Sequence, residues 1–301
     1  MIPVVDTHQH LWDLNVLSLP WLDDVPQLAS DHVMSTYKAA SEGFDVAKTV
    51  YMEVDVSLDQ LQTERDYILA LCDATDNSMA GATLRGRPGE DGFSAWLDAL
   101  ADDNRVKGFR QVIHPPEFAP DYCVQDHVVA DVRRLGEVGK HFDICMRPAD
   151  LRFGLQLAQA CPDTRFVVDH CGNAHPEIVN GTISPDDYDR GDVYWHHPDQ
   201  WKRDMEALGN QSNVVCKVSG IIARLPDGKG ALDCLVDTVN HCLDSFPSDR
   251  VVFGSDWPVC TLGAGNYELW VRSLHEVIAD RPEEDKRKLL HDNAVSFYGL
   301  A

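Results

Sequence analysis

Positive charge is scarce in this chain: 26 Lys and Arg stand against 49 Asp and Glu in 301 residues, a formal net charge of −23. Such a molecule is repelled by nucleic acid and by anionic membrane surfaces, which excludes both as main partners. No run of about 18 apolar residues occurs, so no membrane span is expected. A basic segment followed by an apolar one is missing from the N-terminus, and Asp6 arrives early, so no secretory leader is expected and the cytoplasm is the expected location. The nine cysteines are odd in number and form no C-x-x-C pair. That argues against a disulfide framework or a zinc ribbon, and for reduced thiols. Glycine-rich phosphate loops are missing too, since no G-x-G-x-x-G or G-x-x-x-x-G-K-[ST] follows any apolar run. Internal repeats, low-complexity tracts and an interdomain linker are likewise absent. A small-molecule partner is what remains, and a homo-oligomer is compatible with the composition.

What the chain does contain is an alternation. Apolar, β-type runs at 4–10, 48–54, 79–85, 106–113, 141–147, 165–170, 213–219 and 250–256 are separated by segments of helical periodicity at 32–42, 58–74, 93–100, 126–138, 150–160, 199–209 and 231–244. Eight strands alternating with helices in a chain of this length predict a (β/α)8 TIM-like barrel spanning 1–301 as one domain. A doubly wound open sheet is the runner-up. One connection exceeds the needs of a barrel, a loop of about 171–198 after the sixth strand, and long loops at a catalytic face are commonly lids or binding loops.

In such barrels the reactive groups sit at the C-terminal ends of the strands. Those ends carry His8 and His10, Glu53 and Asp55, Arg85, Arg110 and His114, Arg147, His170, Lys217 and Ser219, and finally Asp256. His8 and His10, two apart on a strand, are expected to project side by side, and can share a divalent ion or polarise one carbonyl oxygen. So many ionisable groups converging on one end would be costly to desolvate without a purpose. Taken singly each has an ordinary reading: Glu53 and Arg85 as a rim ion pair, Lys217 pointing outward, His114 as a loop residue before Pro115. His8, His10, His170 and Asp256 are read together as functional.

Four blocks then carry a resemblance. Asp6-Thr7-His8-Gln9-His10-Leu11-Trp12, Val168-Asp169-His170-Cys171-Gly172, Cys216-Lys217-Val218-Ser219-Gly220 and Phe253-Gly254-Ser255-Asp256-Trp257-Pro258 together resemble the amidohydrolase superfamily, and within it the branch that opens sugar lactones and 2-pyrone-4,6-dicarboxylate. The resemblance implies a distorted (β/α)8 barrel of amidohydrolase type and hydrolysis of a lactone ester. By it, Asp256 is the general base for the attacking water, and His8, His10 and His170 surround the carbonyl oxygen. Arg110, Arg147 and Lys217 are the candidate substrate anchors. Binuclear members carry a bridging ligand on strand four and a histidine on strand five. Here those places hold Arg110-Gln111 and Met146-Arg147, so the expected cofactor is none, or a single zinc-type cation at His8, His10 and Asp256.

Trp12 or Trp21 from the first loop, with Tyr194 and Trp195 from the long one, are expected to line the pocket, where an aromatic ring covers the apolar face of a sugar. Their ordinary reading is packing of the insertion or a subunit contact. Two rival functions are a zinc-dependent decarboxylase of the same superfamily and a barrel that only binds a ligand.

Overall fold

The computed structural model describes residues 2–225, 231–263 and 265–300. Eight strands, β1 (Val4–Gln9), β2 (Val46–Met52), β3 (Met79–Arg85), β4 (Val106–Val112), β5 (His141–Cys145), β6 (Arg165–Val168), β7 (Val214–Val218) and β8 (Val251–Phe253), pair in sequence order. All seven neighbouring pairs are parallel. Helices between them cover the outer face, so each strand is shielded on both sides, which is why the strands read as near-continuous apolar runs. The helix Asp126–Glu137 illustrates the fit: Val128, Val129, Val132 and Leu135 fall on one buried stripe at helical spacing. The sheet curls into a nearly closed (β/α)8 barrel, as the alternation predicts.

Closure between β1 and β8, a strand of only three residues, combines side-chain bonds with backbone bonds from the residues beyond β8. Thr7 Oγ1 donates to Phe253 O at 2.7 Å, and the Ser255 amide donates to Asp6 Oδ1 at 2.8 Å. Above them the Asp256 amide reaches His8 O and the His10 amide reaches Trp257 O, both at 2.8 Å. Pairing of β1 with β2 slips between Asp6 and Gln9. Accordingly Asp6 faces outward to Tyr37 Oη, while His8 faces Lys217 and Asp169 inside the barrel. In a regular strand these two residues would share a face.

The structure differs from the sequence reading at strand ends and beyond β8. The β2 strand starts at Val46 rather than 48, and β6 stops at Val168, two residues short of His170. Past β8 the chain adds the helix Tyr267–Val277 and a helical C-terminus from Glu283 to Tyr298. Ala294, Tyr298 and Leu300 pack onto Val5, Val50, Val215 and Val252, plugging the end of the barrel opposite the site.

One buried carboxyl lies just outside the barrel wall. Glu64, on the helix Leu61–Asp73, is 1% exposed and accepts from Tyr51 Oη (2.9 Å) and the Val54 amide (3.0 Å). Burial, reinforced by the neighbouring Glu53, pushes its pKa up from 4.5 to about 7. A raised carboxyl contributes stability that is present below its unfolded pKa and is lost as pH rises through the folded one. Glu64→Gln keeps the acceptor and removes the titration. The variant should match wild type near pH 5 and exceed it by on the order of 2 kcal/mol at pH 8 in urea unfolding. Parallel stability curves across that range would refute the assignment.

Candidate active site

Left-handed backbone marks the mouth of the barrel. Asp55 (φ 52°), His170 (φ 52°), Cys171 (φ 52°), Asn173 (φ 58°) and Asp256 (φ 59°) are the non-glycine residues with positive φ among those described. Such strain persists where surrounding contacts over-determine it and clusters at functional sites. Gly220 (φ 68°) is required sterically, since a Cβ there would lie 2.4 Å from His170 Nδ1 and 2.7 Å from Asp256 Oδ2.

Asp256 is the hub. His10 Nε2 lies 3.2 Å and His8 Nε2 3.5 Å from its Oδ1, and the rings of His8 and His170 are 4.5 Å apart. Burial works to raise the Asp256 pKa, but His170, the hydrogen bond from His10, and His8 outweigh it, holding the carboxyl well below the usual range. Nδ1 of His10 lies 3.0 Å from Met52 O, so it carries a proton, and Nε2 is the atom turned to the carboxylate. Ser219 Oγ lies 2.9 Å from His170 Nδ1. When that hydroxyl donates, the second ring nitrogen of His170 is left as a donor.

His8 sits between two cations. Lys217 Nζ is 3.3 Å from its Nδ1 and Arg110 Nη1 3.2 Å from its Nε2. Burial, then Lys217, lowers its pKa well below the ordinary value, so the ring is neutral. Lys217 is fully buried and directs its remaining donors at Asp143 Oδ2 (2.7 Å) and Asp169 Oδ1 (2.8 Å). Burial opposes its charge, yet Asp143 and Asp169 prevail and raise its pKa. Arg110 donates through Nε to Glu53 Oε1 at 2.6 Å and through Nη2 to Glu53 O at 2.9 Å.

His8, His10 and Asp256 present one ligand atom each within 4.8 Å of one another, and His8, Asp169 and His170 form a second such set. Two imidazoles and a carboxylate suit a zinc-type cation, and the Met52 carbonyl behind His10 is the outer partner that a metal-bound histidine uses. The donors therefore fit one divalent ion in the first set.

A cavity of about 360 Å³ opens over this cluster. Its walls include His10, His170, Asp256, Arg110, Trp12, Trp21 and Tyr194. Three of the sequence candidates lie elsewhere. Lys217 is beneath the cavity floor, bound to aspartates, and does not point outward. Arg147 is held by Asp150 Oδ2 at 2.6 Å and by the carbonyls of Pro115 and Phe118. Trp195 donates to Pro185 O and packs on His197, inside the long loop itself.

Conversely, the cavity contains Arg224, which the sequence did not single out, and His114, whose ordinary reading is a loop residue. Arg224 lies 4.0 Å over the Tyr194 ring and donates to Asn173 Oδ1 at 2.7 Å, joining the long loop to the segment after β7. His114 lines the wall rather than serving only as a loop residue, and burial, then Arg224 and Arg110, pushes its pKa down to about 3. Arg224 follows Ser219-Gly220 by a few residues, and that proximity was the one available signal. Among the described residues no helix is long and apolar enough to cross a membrane.

Known proteins resemble the chain along its whole length. It is 25% identical to L-fucono-1,5-lactonase of Burkholderia ambifaria, covering 98% of this chain and 95% of that protein. It is 24% identical to L-rhamnono-gamma-lactonase of Scheffersomyces stipitis, covering 99% and 98%. A crystal structure of an amidohydrolase from Burkholderia multivorans with bound zinc superposes with a TM-score of 0.81 at 19% identity, covering 99% of this chain and 100% of that one, and shares the fold. The amidohydrolase family model matches residues 5–300, and the chain belongs to that family.

Proposed function

We propose that the protein is a hydrolase that opens the ester bond of a lactone, with sugar (aldonic acid) lactones as its substrate class. The observation that carries this reading is an ionised Asp256 ringed by His8, His10 and His170 at the wall of a cavity of small-molecule size. The names of the two relatives support the substrate class.

Asp256 takes a proton from a water poised at the lactone carbonyl, and the hydroxyl adds to that carbon. The oxygen that gains charge is met by N–H donors of His170 and Arg110. Collapse of the tetrahedral intermediate breaks the ring C–O bond as Asp256 returns the proton to the leaving alkoxide. A divalent ion held by His8, His10 and Asp256 would polarise the carbonyl as a Lewis acid. Within this scheme Lys217 fixes His8 from below. Arg147 ties down the loop after β4 rather than binding substrate. Arg110 remains the anchor nearest the reacting carbonyl, and Trp12, Trp21 and Tyr194 form the wall against the ring.

The zinc-type donor set also favours a second reading, decarboxylation of an aromatic acid, which would consume no water and release CO₂.

Asp256→Asn should lower turnover by roughly 10²- to 10⁴-fold. The assay is proton release in weakly buffered indicator solution against 1,4- and 1,5-aldonolactones, and undiminished turnover would remove Asp256 as the base. Dialysis against a chelator is expected to leave lactone opening intact, with metal content read in parallel by mass spectrometry. Activity lost to the chelator and restored by zinc would make the ion essential, and CO₂ release from an aromatic acid by that zinc form would favour the decarboxylase.

A further inference from the structure

We infer that Asp55, beside the Trp21 indole, recognises the hydroxyl groups of the substrate ring and so selects polyhydroxylated lactones over bare ones. The inference rests on the lactone reading and specifies which part of the ring is read.

Asp55 lies on the cavity wall, and its side chain is 40% exposed, whereas those of Glu53 and Arg110 are almost fully covered. Its neighbours Val54 and Val56 are both buried, so the chain turns one residue out between two anchors. The turn is left-handed at a residue with a side chain, φ 52°. Two contacts fix it: the Asp55 amide donates to Glu53 Oε2 at 2.7 Å, and the other oxygen of Glu53 holds Arg110.

Arg85 does not account for this arrangement. Its Nη2 meets Asp55 Oδ1 at 2.5 Å and its Nη1 meets the Val56 carbonyl. With its side chain 15% exposed and absent from the cavity wall, Arg85 stands behind the carboxylate. Of this ion pair, the cavity wall therefore includes Asp55, whose side chain is the more exposed, and not Arg85. A rim ion pair alone would need neither the left-handed backbone nor a place on the cavity wall.

An ionised carboxylate only accepts hydrogen bonds, and can take two hydroxyls at once. A substrate carboxylate in the same place would be repelled. Next to it, Trp21 is fixed by its Nε1 donating to Val54 O at 2.8 Å, and meets Trp12 edge-on at 5.7 Å between ring centres. An acceptor beside an indole matches the polar edge and apolar face of a sugar ring.

The test compares a polyhydroxylated 1,5-lactone with its hydroxyl-free parent in wild type, Asp55→Asn and Asp55→Ala. Calorimetric binding of the two corresponding lactams, which resist opening, runs alongside. Wild type should prefer the hydroxylated compound in both assays. Asp55→Asn should reduce that preference at least tenfold, through KM more than kcat. An equal fall on both lactones, or an unchanged preference, would overturn the inference and reduce Asp55 to a support for Glu53 and Arg110. If wild type opens neither lactone but binds the hydroxylated lactam through Asp55, the hydrolysis reading fails and this one stands. Failure to open either lactone or to bind either lactam overturns both. Thermal melts identify a variant that has not folded, and the other then carries the comparison.

Discussion

The buried ammonium of Lys217 is the contact on which the site depends. Barrel interiors are ordinarily layered with branched apolar side chains, but here the axis carries Asp143, Lys217, Asp169 and His8 in succession. Taking such charges out of water is expensive unless every donor and acceptor is met. Lys217 meets that condition on the donor side, bonding Asp143 Oδ2 and Asp169 Oδ1 and lying 3.3 Å from His8 Nδ1, contacts drawn from β5, the end of β6 and β1, while Asp143 Oδ1 and Asp169 Oδ2 have no hydrogen-bond partner among the described residues. Those strands are thereby held in a fixed relation at the level where β1 departs from regular pairing. The same ammonium denies His8 a second proton, so the ring beside Asp256 stays neutral. Structure and electrostatics thus share one residue, and its value lies in geometry rather than in net stabilisation.

From that contact the rest of the floor follows. Arg110 closes the opposite side of His8 and is itself gripped by Glu53, whose remaining oxygen fixes the turn at Asp55. A chain of contacts therefore links the Asp256 carboxylate to the far wall of the cavity without passing through solvent. The long loop enters separately, through Asn173, Tyr194 and Arg224. The cavity consequently has a rigid floor and one wall whose position depends on a single cation stacked on an aromatic ring.

Strand order and the convergence of four side chains were legible because each rests on a short-range signal: an apolar run of β type, and an ionisable group at its end. His8, His10, His170 and Asp256 fall into that class. Lys217, Arg147 and Trp195 lie off the cavity wall, because position along a strand or loop does not say whether a side chain points up, inward or back onto its own loop. Lys217 needed two aspartates from other strands to explain its burial, and Arg147 needed Asp150, one helical turn away. Arg224 was missed for the converse reason, since it lies in a short turn with no periodicity and becomes informative only when the long loop folds over it. The C-terminal helices escaped because the alternation that identifies a barrel ends with its eighth strand.

Charge joins the site to the molecule as a whole. Counted formally, the buried cluster holds the cations Lys217 and Arg110 and the anions Asp143, Asp169, Glu53 and Asp256, a surplus of two negative charges before the histidines are counted. A divalent ion would neutralise that surplus, and each proton taken up by an imidazole would offset half of it. The chain as a whole carries −23, this surplus included, and Asp55 places one of its carboxylates at the cavity wall. On the lactone reading the substrate enters uncharged and is indifferent to this field, whereas the product leaves as a carboxylate. Ring opening therefore creates the one species that the cavity and the surrounding molecule both repel, and the negative field favours release of product without opposing entry of substrate.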